Sequence, residues 1–123
     1  ASTIARAALC SDATVAPSGA AVCEVATIAK RDLAAGEILD GVGGFTAYGV
    51  IENADVFAAD GLLPIGVADG CRLLRNVSKD SPIGYADVAL PDGRLCDKLR
   101  TAQLERLPAV RRAGVQLGAP ASV

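Results

Sequence analysis

Asp40-Gly41-Val42-Gly43-Gly44, followed closely by Thr46 and Tyr48, is the segment best suited to chemistry. Glycines bare the backbone amides, and bare amides can approach an anion closely. Thr46 and Tyr48 add hydroxyls within reach of the same ligand, so a phosphate or carboxylate is what such a loop would hold. The same glycines suit a tight crossing of backbone over backbone, and composition leaves both readings open. Lys30 and Arg31, with Asp32 beside them, form a second candidate site for an anion. Here a repeat intervenes. At an offset of 44 residues, Arg31 aligns with Arg75, Asp32 with Asn76, Leu33 with Val77 and Leu39 with Ile83. Both copies read as strand, polar turn, strand, with Gly36 in one turn and Asp80-Ser81-Pro82 in the other. Duplication points to a role in the fold, as turn geometry and a salt bridge.

Other chemistry is limited by residue supply. The chain has no histidine, so no serine or cysteine can be activated by one. Cys10, Cys23, Cys71 and Cys96 are scattered, with no Cys-x-x-Cys pair to suggest zinc. They are expected to be buried free thiols. Glu52, Asp55, Asp60 and Asp69 lack the ligand spacing of a calcium loop and read as a solvated rim. No metal is expected.

A net charge of −2 argues against nucleic acid as a partner. Arg106, Arg111 and Arg112 are the one basic cluster and read as a solvated end of the chain. No apolar run approaches the ~20 residues that span a bilayer. With no signal-like start and no disulfide pattern, the expected setting is cytoplasmic, away from a membrane. The chain neither begins with nor contains methionine, which suggests a processed or excised piece of a longer protein.

The 123 residues suffice for one domain. Only four residues are aromatic, so the core must be aliphatic. Residues 1–21 read as the end of a preceding domain's helix, Ser2 to Cys10, plus a linker with Pro17-Ser18-Gly19. Val22 to Ala29 is a strand by its β-branched content, and Phe45 to Ile51 is extended. Asn53 can cap a short helix over 54–59, and Pro64 bars 62–68 from being a regular central strand. Asp69-Gly70 resembles a hairpin turn, and 85–88 a helical turn. Residues 94–107 form the clearest helix, with Leu95, Leu99, Leu104 and Leu107 as its apolar stripe. Residues 108–123, rich in Ala, Gly and Pro, read as a flexible tail.

Lys30 to Leu39, together with Leu73 to Val77 and Tyr85 to Val88, resembles the SAF domain, named after sialic acid synthase, antifreeze-like and flagellar assembly proteins. The resemblance implies a mainly β fold, a β-clip of bent strands in two pseudo-repeated halves, over residues 22–93. Asp40 to Gly49, with Leu63-Pro64-Ile65-Gly66-Val67-Ala68 downstream, resembles the C-terminal region of homoserine dehydrogenase-like oxidoreductases. That narrower likeness implies a parent enzyme whose Rossmann-type domain binds NAD(P). Gly41-x-Gly43-Gly44 is not a dinucleotide fingerprint, so no cofactor is expected on this chain. The expected role is noncatalytic: docking, capping of an active site, or homo-oligomer contacts. The alternative is a free-standing module for a sugar acid, a carbohydrate or a phosphorylated small molecule. Either way Gly41, Gly43, Gly44, Thr46, Tyr48, Lys30 and Arg31 are the residues expected to meet a substrate or partner.

Overall fold

Leu33 and Val77, equivalent in the repeat, are hydrogen-bonded to each other in the computed structural model, which describes residues 2–15, 19 and 21–107. Leu33 N–H donates to the Val77 carbonyl at 2.8 Å, and Val77 N–H to the Leu33 carbonyl at 2.9 Å. Around this pair the contacts come in twos. Gly36 N–H donates to the Leu73 carbonyl, and its equivalent, Asp80 N–H, to the Ala29 carbonyl, both at 2.8 Å. Leu39 N–H reaches the Cys71 carbonyl and Ile83 N–H the Thr27 carbonyl, both at 2.9 Å. Side chains obey the same relation. The Asp32 carboxylate accepts from Lys79 N–H and the Asn76 amide oxygen from Ala35 N–H, each at 2.8 Å. Asp in one half and Asn in the other do one job, because only a short side-chain acceptor is required. Gly36 and Asp80 both hold a left-handed backbone, with φ of 90° and 61°. The repeated halves are thus wound around a local two-fold axis between Leu33 and Val77.

Strand β1 (Cys23–Ala29) pairs antiparallel with β2 (Ala47–Asn53), and β3 (Arg72–Leu73) with β4 (Val88–Ala89). The second sheet repeats the first in shortened form: Ala29 faces Ala47, and its equivalent Leu73 faces Val88. The core runs through both halves as Ala29 with Leu73, Leu33 with Val77, and Leu39 with Ile83, joined by Leu63, Ala68, Cys71 and Val88. All are aliphatic or small, as the scarcity of aromatic residues requires. Pro64 and Pro82 each make one bridge to β1, at Ala26 and Ile28, and neither lies inside a regular strand. Much of the extended chain is joined by such single bridges, so regular strands hold fewer residues than helices do.

Three α-helices complete the described residues: α1 (Ser2–Cys10), α2 (Ala54–Ala59) and α3 (Leu95–Arg106). None is long and apolar enough to cross a membrane. Asn53 occupies the cap position of α2, but its side chain makes no capping bond. Residues 85–87 form the expected helical turn, as a single 3-10 turn. Asp69-Gly70 turns with Gly70 at φ 74°, yet β3 pairs with β4 rather than with the segment before the turn. The leucine stripe of α3 does not enter the core. Leu95, Leu99 and Leu104 are exposed, and no residue of the helix is buried. Polar contacts of Arg94 with the Val67 and Asp69 carbonyls and of Arg100 with Glu24, not its apolar face, fix its place. The thiols also depart from expectation: Cys71 is buried, but Cys10, Cys23 and Cys96 are exposed. The stretch expected to be a flexible tail, 108–123, and residues 16–18 and 20 of the expected linker lie outside the described residues.

Candidate functional site

The glycine-rich loop is closed by its own carboxylate. Asp40 accepts from the Phe45 amide at 2.6 Å, the Thr46 amide at 3.1 Å, and the Thr46 hydroxyl. In return Asp40 N–H donates to Thr46 Oγ1 at 3.1 Å. The second half closes its shorter loop the same way, with Gly84 N–H donating to Asp87 at 2.9 Å. The glycines serve this closure. A Cβ on Gly44 would sit 2.2 Å from the Asp40 carboxyl carbon, and one on Gly41 would sit 2.8 Å from Asp69 Cβ. Gly43, at φ 82°, turns the backbone in open space. The amides of Phe45 and Thr46 therefore already hold an anion, and it belongs to the chain. A second anion would meet the Asp40 charge.

The other sequence-picked residues divide. Lys30 Nζ donates to the Gly44 carbonyl at 3.2 Å and so joins the loop. The Tyr48 hydroxyl turns away from it and donates to Asp80 at 3.1 Å. Arg31 is held by Glu37, at 2.7 Å through Nη2 and 3.3 Å through Nη1, and by the Asp32 carbonyl at 2.9 Å. Its repeat equivalent, Arg75, pairs with Asp87. Both arginines brace the turns of the fold, and each draws the carboxyl of its partner below the usual carboxylate range.

Hydrogen bonds from Thr46 and from the Phe45 amide hold the Asp40 carboxyl down at a pKa of about 2. A depressed pKa favours the closed loop above the ordinary carboxylate range and loses that favour as pH falls through about 2. NMR titration of the Asp40 side chain should give a midpoint near that value. In Gly44→Ala, where the new methyl displaces the carboxylate, the midpoint should return to the ordinary range.

A cavity of about 210 Å³ lies elsewhere, between α2, Tyr85 and the second half of α3. Phe57, Leu62, Leu104 and Leu107 supply apolar walls, and Glu24, Tyr85 and Arg100 a polar rim. Arg100 pairs with Glu24 near the start of β1, which leaves the rim near neutral. Burial raises the Tyr85 hydroxyl pKa, and the facing Arg100 opposes the rise. Sequence reasoning missed this place because its ion pair joins positions far apart in the chain, and no local spacing marks it. Such a cavity can take an apolar group. Among the described residues, no cluster of acidic or sulfur ligands could hold a metal.

Compared with known proteins, the chain matches no family model, and no curated protein matches it.

Proposed function

We propose that this chain is a noncatalytic SAF-like β-clip domain that docks onto the catalytic part of an NAD(P)-dependent, homoserine dehydrogenase-like oxidoreductase. The observation that carries the docking role is α1. All nine of its residues are exposed, Ile4 and Leu9 at 75% and 84%. A helix this short is marginal in water unless a partner covers its apolar side. The preceding Rossmann-type domain would be that partner, with NAD(P) held there. Two half-units crossing at Leu33 and Val77 are what a β-clip requires, which favours that reading of the bent strands. The loop around Asp40 spends its polar groups on itself, which suits a scaffold better than a ligand site.

Deleting Ser2 to Cys10 from the intact parent enzyme should weaken docking between its domains and reduce turnover, measured by proteolytic protection and steady-state kinetics. A shortened parent with unchanged assembly and rate would overturn the proposal. Titration of the isolated chain with sugar acids and sugar phosphates should give no heat. Measurable affinity without a partner would instead favour the free-standing binding module.

A further inference from the structure

The two edges of the β1–β2 sheet are treated differently. The outer edge of β1 is occupied: Thr27 N–H donates to Leu63 at 2.9 Å, Ala29 N–H to Ser81 at 2.9 Å, and two prolines flank these bonds. The outer edge of β2 is bare. Lys30 N–H donates to the Thr46 carbonyl and Ala54 N–H to the Val22 carbonyl, so even-numbered residues of β2 face β1. Antiparallel ladders alternate, which leaves the odd-numbered N–H and C=O groups pointing outward. Those of Gly49 and Ile51 have no hydrogen-bond partner among the described residues. Natural edges are blunted by lysine, proline or a bulge. Tyr48-Gly49-Val50-Ile51 has none of these, and all four residues are exposed.

We propose that this edge pairs antiparallel with the same edge of a second copy of the chain, about a two-fold axis through Val50. Three features select this occupant and register. The bare stretch is centred on Val50, so the outward groups of Gly49 meet those of Ile51 from the other copy, giving two hydrogen-bonded pairs. Gly49 presents no side chain to obstruct Ile51, the most exposed residue of the strand at 71%. Glu52 falls opposite Tyr48, which keeps the two Glu52 carboxylates about 13 Å apart along the strands. The same register extends past the strand. It carries Phe45, 82% exposed, toward the start of α2 in the second copy, where Val56 is exposed. The pairing needs no parent enzyme and stands apart from the docking role of α1.

Sedimentation equilibrium of the 123-residue chain should show reversible dimerisation between micromolar and millimolar concentrations. Val50→Lys and Val50→Glu each place like charges across the axis, and each alone should weaken the dimer about tenfold or more. An equimolar mixture of the two should restore it, since position 50 then meets its opposite charge. Residue 50 is exposed, so at dilutions where every form is monomeric both variants should unfold close to the wild-type midpoint. A wild type that stays monomeric at millimolar concentration overturns the proposal. So does a dimer indifferent to either substitution, or a mixture no stronger than the single variants.

Discussion

Leu33→Ala should lower the free energy of unfolding by about 3 kcal/mol, within the range of buried leucine truncations. Leu33 is fully enclosed and lies on the local two-fold axis, where its backbone exchanges two hydrogen bonds with Val77. Its loss opens a void shared by both halves, and neither half has an independent core that could collapse into it. Domains of this size keep roughly 5–15 kcal/mol of stability, so the change removes a large fraction. Urea denaturation followed by circular dichroism measures it. Val77→Ala in the same background should be non-additive with it, by at least about 0.5 kcal/mol, because the residues touch. A loss under about 1 kcal/mol from Leu33→Ala would mean that the halves are stable separately.

Arg94→Ala should release α3 while leaving the sheets folded. The helix buries no residue of its own, so its position depends on polar anchors. Arg94 is the densest of these. Its guanidinium donates to Asp97 at 2.7 and 2.9 Å, to the Val67 carbonyl at 3.0 Å, and to the Asp69 carbonyl. It also lies 3.6 Å from the buried Cys71 sulfur, whose pKa burial raises. Removing it strands two carbonyls and one carboxylate, a loss of a paired group rather than of one contact. Hydrogen exchange should show the α3 amides losing their protection, while those of Leu33, Val77 and Ile83 keep theirs. Arg94→Lys should rescue little, because a single ammonium cannot fork between Asp97 and two carbonyls. Unchanged protection of α3 in Arg94→Ala would place its anchorage in the Arg100–Glu24 pair instead.

The repeat was legible over 31–39 and 75–83 because there it rests on local chemistry. Asp32 and Asn76 are both short acceptors, Gly36 and the Asp-Ser-Pro turn both reverse the backbone, and Leu33 and Val77 are both apolar. Helices α1, α2 and α3 were legible for the same reason, through composition and their start and stop residues. The leucine stripe of α3 misled. Helical spacing says which residues share a face, but not whether anything lies opposite. Of the candidate site residues, Lys30, Gly44 and Thr46 do meet in space, whereas Tyr48 and Arg31 turn to Asp80 and Glu37. Asp40, the residue that organises the loop, reads in sequence as one carboxylate among many. Its role depends on the direction of two amides five and six positions later.

Where each half turns, which positions are apolar and which segments are helical follow from the amino-acid order alone, since each depends on neighbours a few residues apart. Tertiary structure decided the rest: that the two copies hydrogen-bond to each other across one axis, that the glycine loop encloses its own carboxylate, that Glu24 finds Arg100, and that β2 keeps a bare edge. Each depends on groups distant in sequence competing for one place, and only the closed chain determines which of them arrives.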